Sequence, residues 1–320
     1  MAGTQLVLLG SSSDRARSPP DELELSGMEH PPLRILAVAA LALAGCGSGG
    51  GPARPLAVTA PAARTAPPSA PAAKPAPGRR SSAPRPSAAP RPSASPALVN
   101  HGPRTARRVA LTFDADMTRG MLLRLRAGRV RSWYDARIVR ELRATRTPAT
   151  VFLTGLWTQT YPAVVRSLAS DPLFELENHS IDHAAFGSPC FGLPTVPSAP
   201  AKREEVAGAA ATIAASAGRR PRYFRFPGGC HSEDDARLVA AEGETPVGWD
   251  VVSGDPFQPD AAAVVRAVLG GVRPGSIVVM HLVGAPNAPA TFTALRAVIP
   301  ALEARGYRFV TVRQLLRGGG

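Results

Sequence analysis

From Arg107 onward the chain alternates short apolar or β-branched runs with amphipathic stretches, and few folds can absorb such an order. RRVALTF is followed by YDARIVRELRAT, then TPATVFLTG, YPAVVRSLAS and LFELEN. AKREEVAGAAATIAASAG reads as a helix, PRYFRF as a strand, EDDARLVAAEG as a helix and TPVGWDVV as a strand. DAAAVVRAVLGG, GSIVVMH, TFTALRAVIPALEARG and YRFVTV continue the pattern. Parallel neighbours need a long crossover, and an intervening helix supplies it, so repeated βα units imply a parallel sheet. The expected fold class is α/β, a distorted (β/α) barrel of about seven parallel strands, one fewer than a full barrel. In such folds reactive side chains gather at the C-terminal ends of strands. Asp114, His179, Arg225, Asp250 and His281 each close or directly follow an expected strand.

Residues 1–46 are expected to be a leader and 47–104 a disordered linker, with a catalytic domain over 105–317. Within the linker, residues 52–98 form a Pro/Ala/Ser tract without an aromatic side chain, too poor in bulky apolar surface to offset ordering entropy. The run LRILAVAALALAG at 33–45 is shorter than the roughly 20 residues a spanning helix needs, and it ends in small residues before Cys46. It therefore reads as a signal peptide. LAGC at 43–46 resembles the lipobox of bacterial lipoproteins, which implies lipidation of Cys46, and Met28 would give a leader of ordinary length. The chain is then expected outside the cytoplasm, lipid-anchored to the cell membrane and facing the wall. The net charge of +13 is spread through tail and domain without an aromatic-interleaved motif, which argues against nucleic acid as a partner. A basic exported surface instead suits anionic wall polymer or lipid headgroups.

NHSIDH at 178–183 sets His179 and His183 four positions apart, downstream of the carboxylates Asp114 and Asp116. Imidazoles at that spacing can close on one ion from one turn of chain, and a carboxylate from another strand would complete three ligands with a position left open for water. Chance or packing explains such a spacing about as well when it stands alone.

Five stretches together resemble the polysaccharide deacetylase family, also called the NodB homology domain or carbohydrate esterase family 4, over roughly residues 107–312. ALTFDAD resembles its first motif, NHSIDH its HSxxH metal motif, FRFPGG its arginine-containing motif, WDVVSGDP its fourth and SIVVMH its last. The resemblance implies a divalent ion, Zn2+ by preference, on Asp116, His179 and His183. It also implies Asp114 as general base oriented by Arg225, and His281 as general acid partnered by Asp255. The implied reaction removes N-acetyl groups from a cell-surface glycan, peptidoglycan or a chitin-like polymer of N-acetylglucosamine, and releases acetate. The chain is expected to act as a monomer. Cys190 and Cys230 flank two of these motifs, so both should lie at one rim of the sheet and form a disulfide.

Three departures stand out. Ala115 separates two aspartates that the family keeps adjacent, which suggests a backbone bend beyond Asp114 and leaves the reverse assignment of base and ligand open. Pro256 replaces the usual tryptophan after Asp255, and the segment MTRGMLLRLRAGRVRSW lacks a common Gly-Pro turn. Two further functions stay open at this point: a non-catalytic wall-binding module on the same fold, and hydrolysis of another amide or ester.

Overall fold

The computed structural model describes residues 98–317; the leader, Cys46 and the linker as far as residue 97 lie outside the described residues. Strand β1 (Arg108–Ala115) is the centre of the sheet. It pairs in parallel with β2 (Ala149–Leu153) on one side and β7 (Ser276–His281) on the other. Near its start it also meets β8 (Arg308–Phe309). Beyond β2 lie β3 (Phe174–Asn178), β4 (Tyr223–Phe224) and β5 (Thr245–Pro246), and beyond β7 lies β6 (Val251–Val252). Each of these pairings is parallel.

TPVGWDVV, expected as one strand, is two: β5 and β6 occupy opposite ends of the order β5-β4-β3-β2-β1-β7-β6. At about 4.8 Å per strand, a flat sheet would separate those ends by roughly 29 Å. The chain from Pro246 to Val251 can span at most about 18 Å. The sheet must therefore curl until its edges approach, which is the distorted barrel expected from the sequence. Proline at the end of β5 cannot donate to a ladder, and a side chain on Gly248 would collide with Asn100, so the run breaks where it must turn across the gap.

Alternation along β1 separates two environments. Val109, Leu111, Phe113 and Ala115 join the main core beneath the outer helices, with Val151, Leu153, Val278 and Met280 from the neighbouring strands. Helices α2 (Ala136–Ala144), α7 (Ala261–Gly271) and α8 (Thr291–Ala304) contribute Ile138, Val264 and Leu295 to that core. Ala110, Phe152 and Ile277 instead face the barrel interior with Val247. Burying a Leu or Phe side chain contributes about 1.5–3 kcal/mol, so this division holds the register of β1 strongly.

Helices α1 (Arg119–Arg126) and α3 (Gly155–Thr160) were not expected; Thr118 and Thr154 cap them. YRFVTV yields only β8, because Thr311 accepts from Gln314 N and the chain passes into the helix α9 (Val312–Arg317). Upstream of Thr105, Val99 bridges Val247 and Arg104 pairs with Asp250 at 2.7 Å. No helix among the described residues is long and apolar enough to cross a membrane.

Candidate active site and metal centre

The same alternation aims the acids. Thr112 and Asp114 both point into the barrel and share Arg225 Nη1, at 2.8 and 2.7 Å, and Asp116 continues the inward series. No bend is needed beyond Asp114. The ladder runs on through Ala115 opposite Leu153, so residues two apart simply share a face.

His179 directly follows β3. Its Nδ1 donates to the carbonyl of Arg225 at 2.8 Å, which turns Nε2 inward, 3.4 Å from Asp116 Oδ1 and 3.6 Å from Asp114 Oδ2. His183 Nε2 lies 3.4 Å from the same Asp116 oxygen. The two histidines do not meet across a helical turn as their spacing suggests. Ser180 and His183 take φ values of 71° and 62°, and this left-handed loop brings the rings to 4.9 Å. Ligand atoms of Asp116, His179 and His183 all lie within 4.8 Å of one another. Asp116 Oδ1 and His179 Nε2 are buried without a hydrogen-bond partner. Unsatisfied buried acceptors are costly, and a carboxylate with two imidazoles is a donor set suited to a divalent ion.

Electrostatics favours the ligating forms. Burial pushes the His183 pKa down to about 4, against the pull of Asp116, so the ring is neutral at pH 7. Burial would raise Asp116, but His183, His179 and His281 outweigh it and hold the carboxyl well below its ordinary range.

A second pair stands across the cleft. Asp255 is fully buried and accepts from His281 Nδ1 at 2.8 Å, Ser253 Oγ at 2.7 Å and Thr291 Oγ1 at 2.6 Å. The backbone N–H of His281 also donates to it at 2.8 Å. Burial opposes charge on His281, yet Asp255 overcomes this and lifts the pKa to about 10, so the imidazolium persists across the neutral range. Its Nε2 faces the centre, 3.8 Å from Asp116 Oδ2. Arg225 is equally enclosed, lying over Phe152 at 3.9 Å and Trp249 at 5.5 Å. A planar, weakly hydrated guanidinium tolerates such a slot better than an ammonium would.

All seven site residues chosen from the sequence thus lie together at one end of the barrel, around a cleft of about 450 Å3. Asp250 does not. It accepts from Ser276 Oγ and Ile277 N, at the opposite end of β7, and belongs to the scaffold. Thr112, Ser253 and Thr291 were missed, since no local signal distinguishes a hydroxyl that will hold a distant carboxylate. Cys190 and Cys230 are joined in a disulfide, with Cα atoms 6.0 Å apart.

Residues 101–247 match the family profile for polysaccharide deacetylase. The chain is 30% identical to a chitooligosaccharide deacetylase of Bradyrhizobium sp. (strain ANU 289), over 53% of this chain and 78% of that one. The chain belongs to the polysaccharide deacetylase family. It is accordingly a hydrolase. A peptidoglycan-N-acetylglucosamine deacetylase of Bacillus cereus is 26% identical, over 68% of this chain and 70% of its own. Among solved structures, a family 4 acetyl xylan esterase from Clostridium thermocellum in complex with a cobalt ion superposes with a TM-score of 0.50 at 27% identity, over 65% of this chain and 89% of that one.

Proposed function

We propose that this chain removes N-acetyl groups from a cell-surface glycan rich in N-acetylglucosamine, with peptidoglycan as the preferred substrate. The observation that carries the proposal is a pair of oppositely charged, separately anchored groups facing one Asp-His-His cluster: Asp114 on Arg225, and His281 on Asp255. Acid and base chemistry in one site requires two groups whose surroundings keep their charge states apart, and these two have different partners. The relatives named for chitooligosaccharide and peptidoglycan deacetylation support the substrate class.

Asp116, His179 and His183 would hold a divalent ion, Zn2+ by preference, which when bound supplies Lewis-acid polarisation of an acyl carbonyl and acidifies water. Asp114, kept in place by Arg225, accepts the proton of the attacking water. His281, kept charged by Asp255, gives its proton to the departing amine as the C–N bond breaks, so that acetate and a free amino sugar leave. Exclusion of bulk water by the barrel interior strengthens both interactions.

Acetate release from acetylated chitooligosaccharide or peptidoglycan by the metal-reconstituted protein tests this reading. Turnover lost on chelation and restored by a divalent ion is the expected result. Binding of glycan without acetate release by reconstituted protein would leave a wall-binding module, and turnover confined to other amides or esters would shift the substrate class. The proposal includes export and a lipid anchor on Cys46, which lies outside the described residues; Cys46→Ala should release the protein from membranes, because acyl chains supply about 0.8 kcal/mol per buried CH2.

A further inference from the structure

Phe191, Val252 and Phe257 are three of the four large apolar side chains that stand strongly exposed among the described residues, and all three border the cleft that holds Asp114, Asp116, His183 and His281. Exposed apolar surface gathered at the rim of a reactive cleft marks a contact surface more often than an accident of folding. The two phenylalanines come from different loops. Their ring centroids lie 5.6 Å apart with the planes tilted by 34°, yet Phe191 is 73% and Phe257 72% exposed, so neither covers the other.

Both loops are built to hold these rings outward. Phe191 takes φ 46°, a left-handed backbone that a bulky residue adopts only where its surroundings impose it. Its neighbour Cys190 is tied to Cys230, and Leu193 N donates back to the Cys190 carbonyl at 2.8 Å. Gly228 lies directly beneath: a Cβ there would come within 2.6 Å of Cys190 Sγ and 3.3 Å of a Phe191 ring carbon. Phe257 follows Asp255 by two residues in a turn closed by Phe257 N donating to the Gly254 carbonyl at 3.0 Å. The turn that buries the carboxylate partner of His281 therefore also presents the second ring.

We propose that Phe191 and Phe257 form a stacking platform for the sugar ring next to the one that presents its acyl group to His281. The site then selects linked sugars over a free monosaccharide. This rests on the deacetylase reading above. A pyranose carries its C–H bonds on two faces and its hydroxyls at the rim, so its face complements an aromatic ring while its edge stays hydrated. Continuity with the catalytic cleft singles out glycan as the occupant rather than a protein partner, which would need no reactive groups beside its docking surface.

The test uses the full chain with a β-1,4-linked N-acetylglucosamine pentamer. In a His281→Ala background, where the sugar persists, binding is measured by calorimetry for the pentamer and for free N-acetylglucosamine. Phe191→Ala or Phe257→Ala should weaken pentamer binding by roughly tenfold and leave the monosaccharide unchanged, and Phe191→Trp should restore the pentamer. With His281 intact, the same substitutions should raise KM for the pentamer while kcat and hydrolysis of 4-nitrophenyl acetate stay close to the parent. Unchanged pentamer binding and KM would overturn the platform alone. Equal weakening of pentamer and monosaccharide would overturn it too, by placing the rings at the reacting sugar. A parent that neither binds pentamer nor releases acetate from it overturns the platform, and one that also releases none from peptidoglycan overturns the deacetylase reading as well.

Discussion

Asp114 and Asp116 are distinguished by their partners, and the difference is measurable. Asp114 is held by a fully buried guanidinium at 2.7 Å, whereas Asp116 faces both histidines. Asp116→Asn should strip the ion while Asp114→Asn keeps it and stops turnover; metal content by atomic absorption, measured beside acetate release, separates them, and the opposite result reverses the roles. His281→Ala should lower kcat by roughly 10²- to 10⁴-fold with metal content near normal, the usual worth of general acid catalysis. The sign of the pH dependence follows from the charged form being the active one. Activity should fall as pH rises through the His281 pKa, which Asp255 lifts to about 10 and a bound cation would pull lower. Asp255→Asn removes the main cause of that elevation, so the alkaline limb of kcat/KM should move to lower pH; an unmoved limb would assign it to another group.

At the scale of elements, the loops after β3 and β4 are tied into one rim by Cys190 and Cys230. Thiol counting on denatured, unreduced protein should find neither of these cysteines free. Gly228 has φ +60° in addition to its contact with the disulfide sulfur, so Gly228→Ala combines backbone strain with a steric conflict. It should cost more than about 1 kcal/mol in denaturant unfolding. Cys190→Ser with Cys230→Ser should reduce glycan affinity more than it reduces hydrolysis of a small ester, since Asp114 and His281 hang on β1 and β7 rather than on that rim.

Across the whole molecule, two buried carboxyls link stability to pH. Burial, reinforced in each case by other carboxylates, pushes Glu177 and Glu244 up to about 8. Glu244 accepts from Asn178 Nδ2 at 3.0 Å, and Glu177 accepts from the backbone of Arg222 and Tyr223, so both are fixed within the barrel. A carboxyl whose folded pKa exceeds its unfolded value binds more protons when folded. Its contribution is complete below about 4.5 and is lost as pH rises through about 8, at up to about 1.4 kcal/mol per pH unit for each group. Denaturant midpoints should therefore decline between about pH 5 and 8, and Glu244→Gln should flatten that decline.

Periodicity in the sequence was enough for most of the βα order, the helices α1 and α3 and the break between β5 and β6 excepted, because a half-buried strand and an amphipathic helix each impose their own spacing on apolar residues. Asp114 and Asp116 share a face by the same alternation, so the bend expected beyond Asp114 is not required, while Thr112 on that face carries no local signal of its own. What local pattern could not supply was proximity. Arg225 reaches Asp114 across 111 positions because the sheet curls, and Asp255 reaches His281 across 26 because β6 pairs with β7. The curl itself follows from a four-residue crossing between opposite sheet edges, hidden in a run that looked like one strand. His179 and His183 had the right spacing for the wrong reason, meeting through a left-handed loop rather than a helix. Asp250 shows the converse: a carboxylate beside an expected strand end becomes scaffold once β6 is seen to begin after it, because which end of a strand a residue occupies is settled by pairing and not by composition.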